Sequence, residues 1–376
     1  MLESTRTEQR ELAGLVRSFL TDHSSETQVR RAMAGELGWD PAAWSIAAGQ
    51  LGLAGLAVPE RYGGSGLGPV DLGTCFEEMG RSLFCAPMLG SSGLAVHLLL
   101  ATGDDDACAE YLPAIASGEL VAAVALHESA AEPATARDIR VLAEPHGASW
   151  AIRGRKMFVL DGQAARLLLV VARAGDELGV FALSAGAAEP SVERTAIATL
   201  DQTRRMAHLE FRSAPARLIG RSEDTWDRLE SALDRTRLLL AAEQVGGTAR
   251  VLEMAVEYAG QRTQFGRPIG SYQAVKHRCA DMLVRLEAAR SAAYDGLRQA
   301  DHGSGALAAS ASLAKAYCSE AYTLSASDNV HVHGGIGVTW EHPAQLYLKR
   351  AKSTEQLFGS PAHHRRRLAR LIWPPR

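Results

Sequence analysis

The chain is 376 residues long, with 47% apolar residues, 22% charged residues and a formal net charge of -3. The composition is ordinary for a globular protein, and the charge gives no indication of a nucleic-acid partner. The length exceeds what one hydrophobic core usually holds, so two or three structural units are expected.

The apolar runs and the cysteines predict the compartment. The longest apolar stretches, such as residues 167–172, are too short to span a bilayer, and the first ten residues carry no apolar signal core. The five cysteines are scattered and form no CxxC pair, which argues against a disulfide framework and against a zinc site. We therefore expect a cytoplasmic protein with no membrane span and no metal ion.

The first part of the chain, residues 1–118, is predicted to be helical. Apolar residues repeat there at helical spacing, at Leu12, Leu15, Val16, Phe19 and Leu20. Asp40-Pro41 has the form of a helix N-cap followed by a proline in the first turn, and the helical pattern returns at 72–79. Between them, residues 58–66 contain a proline and three glycines and are predicted to be a loop.

The second and third parts differ in character. Residues 119–222 contain short runs rich in β-forming residues and separated by glycine turns, at 121–126, 149–152, 156–160, 167–172 and 178–183. Such spacing indicates a small sandwich or barrel. Residues 223–376 are predicted to be helical again, with helices at 229–261, 273–299, 305–329, 343–359 and 361–372. The expected fold class is mostly α with a β middle domain.

Two glycine-bearing motifs join the predicted C-terminal helices. The first is RTQFGRPI at 262–269, with Gln273 four residues beyond it, and the second is HGGIG at 333–337. Together with the loop PERYGGSG at 59–66 and the stretch Arg-Ala-Lys at 350–352, they resemble the acyl-CoA dehydrogenase family in order and spacing over nearly the whole chain. The resemblance implies an N-terminal helical domain, a β middle domain and a C-terminal four-helix bundle, in dimers or tetramers.

In that family the two loops hold the adenine end of an FAD whose flavin ring lies in the neighbouring subunit. The residue chemistry agrees, because Arg262 suits a phosphate and glycines at 334 and 335 allow close backbone approach. By match, the cofactor-binding residues are Arg262, Gln264, Phe265, Gln273, His331, Gly334 and Gly335, with Phe158 in the middle domain. The alternative is a pair of helix-connecting turns with a surface arginine.

The family's catalytic base is missing from both usual positions. The family reaction is α,β-desaturation of an acyl-CoA thioester, in which a carboxylate removes the α-proton. Gly359 stands where most members have a glutamate, and Thr236 stands where other members place the base. The remaining candidate is Glu243, on the face of Thr236 but roughly 10 Å further along the helix axis. The alternative is that Glu243 has a structural role, in which it pairs with a bundle arginine or faces a subunit interface.

Other positions also match or depart from the family. Asp234 and Arg237 match positions close to the CoA substrate, and their alternative is a solvated i,i+3 pair. The segment 127–131 lacks the Pro-Gly turn of the family's flavin-contacting stretch, and 158–160 keeps the aromatic residue but lacks the threonine. The basic run at 363–367 is interpreted as a solvated last helix, with phosphate contact as the alternative.

The motifs leave three hypotheses for the function. The first is an FAD-dependent acyl-CoA dehydrogenase that passes electrons to a flavoprotein acceptor. The second is a non-catalytic partner subunit of a heteromeric acyl-CoA dehydrogenase, which completes the FAD site of its partner; some actinobacterial α2β2 enzymes for sterol-derived acyl-CoAs resemble this arrangement. The third is a relative with flavin oxidase or monooxygenase chemistry. The missing base and the altered flavin face favour the second, and a homo- or hetero-oligomer is expected.

Overall fold

The computed structural model describes residues 2–129, 135–184, 190–221, 223–301 and 305–373. The helices before the strands are α1 (Leu2–His23), α2 (Glu26–Ala34), α3 (Pro41–Ser45), α4 (Pro69–Arg81), α5 (Val96–Thr102) and α6 (Asp105–Ala116). Asp40 caps α3 as predicted, because its carboxylate accepts hydrogen bonds from the backbone amides of Ala42 at 2.8 Å and Ala43 at 3.4 Å.

The middle of the chain forms a closed sheet. Its strands are β1 (Ala122–Ala125), β2 (Leu142–His146), β3 (Ser149–Leu160), β4 (Leu167–Ala174), β5 (Glu177–Ser184), β6 (Val192–Ala196) and β7 (Met206–Arg221). The pairing runs from β4 through β5, β7, β3 and β2, and β2 returns to β4 where Leu142 pairs with Arg173. This closure makes the sheet a barrel, to which β1 adds beside β4 and β6 beside β7.

The pattern of burial explains which strands could be predicted. β4 and β5 are buried along nearly their whole length, so they are continuous apolar runs. β2 and β6 are mostly exposed or half-exposed, and they were not predicted. The longest strand, β7, was not predicted either, although its buried residues alternate with half-buried or exposed ones over most of its length. The two runs predicted at 149–152 and 156–160 form one strand, β3, which a register shift between Lys156 and Val159 distorts.

Long helices follow the barrel. They are α7 (Thr225–Gln261), α8 (Gln273–Asp301), α9 (Leu307–His333), α10 (Ala344–Gln356) and α11 (Pro361–Ile372), and a two-stranded hairpin of β8 (Thr263–Gln264) and β9 (Arg267–Pro268) joins α7 to α8. α4 packs on α7 almost backbone to backbone, because a Cβ on Gly80 would lie 2.0 Å from the carbonyl oxygen of Glu243. The mostly α fold with a β middle part is as expected.

The chain divides into two compact units. Unit 1 consists of Met1–Arg31, Pro69–Phe84 and Arg237–Arg376, and unit 2 consists of Ala32–Gly68 and Cys85–Thr236. Unit 1 therefore holds α1 and α4 together with the C-terminal helices, while unit 2 holds the barrel with α3, α5 and α6. The boundaries expected from the sequence, 1–118, 119–222 and 223–376, follow the changes between helix and strand, and as domain limits they stay a prediction.

Within the described ranges, no helix is both long and apolar enough to cross a membrane. In the same part of the chain, no three His, Cys, Asp or Glu side chains are grouped so that they could hold a metal ion.

Candidate functional site

The turn between α10 and α11 contains Gly359, which stands at the expected position of the base. Gly359 has a φ of +115°, a backbone conformation that residues with a side chain rarely adopt. A Cβ at this position would lie 2.7 Å from Nε2 of His364 and 3.0 Å from Cδ2 of His363. The turn therefore has no room for a side chain at residue 359 unless His364 moves.

Three buried basic side chains bind the carbonyl oxygens of this turn. Nζ of Lys315 donates to the carbonyl of Gly359 at 3.0 Å, to that of Glu355 at 3.1 Å and to Oγ of Ser319 at 2.9 Å. The carbonyl of Phe358 accepts from Nε of Arg237 at 3.2 Å and from Nε2 of His364 at 3.0 Å. These three side chains, Arg237, Lys315 and His364, are at most 1% exposed, and we call them the basic cluster.

The charges of the basic cluster disfavour a general base at residue 359. Burial, with the charge of Arg237, lowers the pKa of Lys315 to about 7. Burial together with the Arg237 and Lys315 charges lowers the pKa of His364 to about 2, so this imidazole is neutral. A carboxylate among these cations would have its pKa lowered, whereas a base for an α-proton needs a pKa raised toward neutrality.

The other two base positions are engaged within the fold. Thr236 is fully buried, and its hydroxyl donates to the carbonyl oxygen of Ala232 at 2.8 Å, one turn earlier in α7. Glu243 is 7% exposed, and its Oε1 accepts from NH1 of Arg350 on α10 at 3.3 Å. This contact is the structural pairing that the sequence left as the alternative for Glu243, and the assignment of Glu243 as the base stays a prediction.

The burial of the charged residues excludes one alternative and limits another interpretation. Asp234 and Arg237 are 2% and 1% exposed, so the alternative of a solvated surface pair does not hold; a substrate-binding role for either stays a prediction. The interpretation of 363–367 as a solvated helix holds for the exposed Arg365 and Arg366. It does not hold for His364, which is fully buried because the first turn of α11 faces the Gly359 turn.

The sequence reasoning missed two members of the basic cluster, Lys315 and His364. Lys315 lies in the run 311–319, where it is the only charged residue among small and apolar ones. A lone charge inside such a run of a bundle helix is a signal of a buried and hydrogen-bonded lysine. His364 gave no comparable signal, because the arginines that follow it are typical of an exposed helix.

The two loops expected to bind the nucleotide lie together in unit 1. Arg262 is exposed, and Phe265 at the tip of the β8–β9 hairpin is 94% exposed with a φ of +51°. Gly334 has a φ of +64°, and a Cβ on Gly334 or Gly335 would meet no atom within 4 Å. The ring of Tyr258 at the end of α7 stacks on His333 at 4.3 Å, which brings the hairpin and the glycine turn close to each other.

The remaining nucleotide-side residues surround these loops. The backbone carbonyl of Gln264 accepts from the hydroxyl of Tyr272 at 3.1 Å, and Gln273 is the exposed first residue of α8. His331 is exposed on α9, and its Nδ1 donates to the carbonyl oxygen of Ser327 at 2.9 Å.

The expected flavin-side residues belong to unit 2, and the structure gives them partners within it. Phe158 has a φ of +55° at the register shift of β3, and its ring meets His208 edge-on at 5.5 Å. Glu128 accepts from Nζ of Lys156 at 2.5 Å and from the backbone amide of Arg140 at 2.8 Å. Ala130 and Ala131, the end of the expected flavin-contacting stretch, lie outside the described residues.

Comparison with known families decides the identity of the fold. The family model for the acyl-CoA dehydrogenase N-terminal domain matches residues 6–119, and the model for the acyl-CoA dehydrogenase C-terminal domain matches residues 224–372. The chain belongs to the acyl-CoA dehydrogenase family. The family resemblance inferred from the glycine motifs is thereby confirmed.

Individual acyl-CoA dehydrogenases match along nearly the whole chain. Acyl-CoA dehydrogenase IpdE2 of Mycolicibacterium smegmatis is 34% identical over 362 residues, which cover 96% of this chain and 98% of the relative. A variant of the Tcur3481-Tcur3483 steroid ACAD has a solved structure with a TM-score of 0.86 and 31% identity, covering 97% of this chain and 98% of that one. The ChsE4-ChsE5 complex of Mycobacterium tuberculosis contains a chain with a TM-score of 0.87 and 29% identity, covering 98% of both chains.

The acyl-CoA dehydrogenase family implies FAD, and the two ends of that cofactor fit this chain differently. An exposed arginine, an exposed aromatic ring and two glycines with open space beside them suit the phosphates and the adenosine of a dinucleotide. In unit 2, the carboxylate of Glu128 is satisfied by a buried lysine and by backbone amides, so it acts as a structural anchor. The residues present therefore fit the nucleotide end of FAD. The described flavin-side residues give no comparable support for binding of the flavin ring.

Proposed function

We propose that this chain is the base-lacking subunit of a heteromeric acyl-CoA dehydrogenase, and that its loops around Arg262 and Gly334 complete the FAD site of a partner. One observation carries the proposal: Gly359 has a φ of +115°, and the space where its side chain would begin is already filled by His364. The position of the base is therefore a closed, hydrogen-bonded turn.

The chemistry of α,β-desaturation explains why this turn matters. When bound, FAD supplies the hydride acceptor, and the protein has to supply a carboxylate whose pKa is high enough to take the α-proton. The cationic side chains Arg237 and Lys315 beside the turn would hold a carboxylate in its ionised and weakly basic form. These two cations disfavour proton abstraction by a carboxylate at the turn. Substitution of Gly359 alone by glutamate would therefore not supply an effective base.

The hypothesis of a self-sufficient dehydrogenase needs another base. Glu243 is the candidate that the sequence offered, and its carboxylate is already engaged by the guanidinium of Arg350 at 3.3 Å. No observation on the described residues favours oxidase or monooxygenase chemistry over the dehydrogenase reaction.

The nucleotide-side residues support a contribution to a shared site. Arg262 would bind the pyrophosphate, Phe265 would pack on the nucleotide or on the partner, and the Gly334-Gly335 turn would approach the adenosine. Gln264, Gln273 and His331 lie on the same loops and helix ends and would add polar contacts, while Phe158 would face a flavin only if the chain holds one itself. Asp234 and Arg237 would serve a CoA thioester only in the first hypothesis.

The relatives support the class of substrate and partner. The matches to a steroid ACAD and to a two-protein complex suggest a bulky steroid-derived acyl-CoA and a second acyl-CoA dehydrogenase polypeptide that carries the glutamate. An electron-accepting flavoprotein would then reoxidise the cofactor of the assembled enzyme.

The first experiment is to purify the chain alone and after co-expression with a base-carrying acyl-CoA dehydrogenase polypeptide encoded beside it. We expect a colourless protein alone and a yellow complex whose flavin band bleaches with an acyl-CoA. A chain that is yellow by itself and is bleached by an acyl-CoA would contradict the proposal.

A matched pair of arginine variants tests the shared site in that complex. Arg262→Gln removes a charge-assisted contact to phosphate and is expected to weaken FAD binding by about tenfold or more. Arg267→Gln is the control in the same hairpin, because the guanidinium of Arg267 lies over the ring of Tyr272 at 4.1 Å. Equal FAD affinity in the two variants would argue that the hairpin does not hold the nucleotide.

A further inference from the structure

Three rings form a column beside the glycine turn of unit 1. Tyr258, in the last turn of α7, stacks on His333 with ring centres 4.3 Å apart and an interplanar angle of 28°. His333 in turn meets His342 at 4.3 Å and 44°. We call these three residues the ring column. His333 is 6% exposed, so the centre of the ring column is buried.

Hydrogen bonds assign the protons of both imidazoles. Nδ1 of His333 lies 2.9 Å from the backbone carbonyl of Asn329, and because a carbonyl can only accept, this nitrogen carries the proton. Nδ1 of His342 lies 3.2 Å from the backbone amide of Ala344, and because an amide can only donate, this nitrogen carries a lone pair. Each ring therefore has one defined neutral tautomer.

Each member of the ring column is connected to a loop that the proposed function uses. The carbonyl of Tyr258 accepts from the amide of Arg262 at 2.8 Å, at the start of the hairpin. His333 is the last residue of α9, immediately before Gly334, and a Cβ on Gly337 would lie 3.0 Å from Cβ of His333. His342 binds the first amide of α10, so it fixes the other end of the same turn.

We propose that the ring column is a positioning device, in which His333 and His342 hold the turn 334–338 in the conformation that receives the nucleotide end of FAD. The proposal rests on the proposed function, since it assigns a positioning task to residues that pack behind the glycine turn. Protonation of His342 at Nδ1 would break its bond to the Ala344 amide and place a positive charge on this ring, 4.3 Å from the ring of His333. Acid therefore releases the turn, and neutral pH holds it.

The charged and titratable neighbours are consistent with neutral rings. Burial lowers the pKa of His333, and the carbonyl of Asn329 opposes this effect. Burial and then the neighbouring His333 lower the pKa of His342, while the carboxylate of Glu26 at the start of α2 opposes them. Both histidines are thus uncharged near pH 7, and release is expected below the ordinary histidine pKa of about 6.5.

The first test uses the isolated chain and does not depend on FAD. Hydrogen–deuterium exchange of the segment 333–343 is measured for the wild type, His342→Phe, His342→Asn and the control His277→Asn, an exposed histidine on α8. His342→Phe keeps a ring but loses the acceptor, so faster exchange in this segment is expected. His342→Asn keeps an acceptor for the Ala344 amide and should restore slow exchange. Unchanged exchange in His342→Phe would overturn the proposal.

The second test uses the co-expressed complex. The FAD dissociation constant is measured by flavin fluorescence from pH 5.5 to 8. We expect weaker binding as the pH falls in the wild type, a flatter pH profile in His342→Asn, and binding about threefold to tenfold weaker at pH 7.5 in His342→Phe. If exchange responds but FAD affinity does not, the link to the cofactor is overturned. If the wild-type complex holds no FAD at all, the proposed function fails, and the exchange result still decides whether the ring column holds the turn.

Discussion

Glu243 and Arg350 form a pair between α7 and α10 in which both side chains are less than 10% exposed. A buried carboxylate of this kind has two possible tasks, since it can act as a base or neutralise a buried cation. The distance of 3.3 Å to the guanidinium favours neutralisation, because removal of either charge would leave the other one buried without its partner. The same residue type would serve catalysis only in a dry pocket without that cation.

Substitution of Glu243 by glutamine separates the two tasks. We expect Glu243→Gln to lower the free energy of unfolding by about 3 kcal/mol in chemical denaturation, because Arg350 then keeps an uncompensated charge. Bleaching of the flavin by an acyl-CoA in the assembled complex should remain. Glu253→Gln is the control, since its side chain is 41% exposed in its pair with Arg81, and it should cost less than about 1 kcal/mol. Loss of bleaching with full stability would identify Glu243 as the base.

At the scale of elements, Lys315 connects α9 to the end of α10. The last carbonyls of a helix have no partner within it, and Lys315 donates to one of them, that of Glu355, as well as to Gly359 beyond the helix. Ser360 then caps α11, because its hydroxyl accepts from the amide of His363 at 3.2 Å. The turn between the two helices is thus fixed from both sides.

The buried lysine makes the stability of these elements depend on pH. Its pKa is about 7 in the folded chain and 10.5 in its ordinary state, so between these values the unfolded chain binds a proton that the folded chain has released. The unfolding free energy should therefore rise with pH in this window, by up to about 1.4 kcal/mol per pH unit from this group. Lys315→Met should remove that part of the slope, as measured by denaturant unfolding at pH 7 and 8.5. Lys352→Met, at a half-exposed lysine, should leave the slope unchanged, and identical slopes in all three proteins would count against a buried titrating lysine.

At the scale of the whole molecule, unit 1 exposes large apolar side chains beside the loops that we propose to bind the nucleotide. Phe265 is 94% exposed, Val338 is 68% exposed and Trp340 is 53% exposed. Isolated exposed apolar residues are ordinary, but a group of them beside one site indicates a surface that another molecule covers. Phe265 also has a φ of +51°, which costs about 1 kcal/mol or more for a residue with a Cβ. Because its side chain is almost fully exposed, burial within the isolated chain does not compensate for this conformational cost.

Replacement of Phe265 tests the assembly. Asparagine tolerates a positive φ, so we expect Phe265→Asn to leave the melting temperature of the isolated chain unchanged or slightly raised. The same variant should weaken association with the base-carrying subunit by tenfold or more in analytical ultracentrifugation, as expected for a buried aromatic anchor. Leu200→Asn, at a leucine of unit 2 that is 63% exposed, is the matched control. If both variants associate as tightly as the wild type, Phe265 does not face the partner.

The sequence alone determined the features that depend on neighbours along the chain. The Asp40 cap and the two glycine motifs follow from residues a few positions apart, and so does the family to which the motifs belong. The absence of a glutamate at residues 236 and 359 was also visible there. Helix ends were predicted to within about four residues, because the end of a helix depends on capping groups that the periodicity does not specify.

Only the tertiary structure decided what surrounds the missing base. Lys315 and Gly359 are 44 residues apart, Glu243 and Arg350 are 107 apart, and Arg237 and Phe358 are 121 apart. Periodicity shows that a residue is buried and does not show which side chain it meets, so the basic cluster and the ring column could not be predicted. For Glu243 the sequence offered a bundle arginine as one alternative, and only the structure identified that arginine as Arg350. The strained positive φ of Phe265 and the filled space beside Gly359 arise from packing between distant segments. Because of these contacts, the turn at Gly359 is filled by His364 and hydrogen-bonded by Lys315, and a glutamate cannot simply be added there.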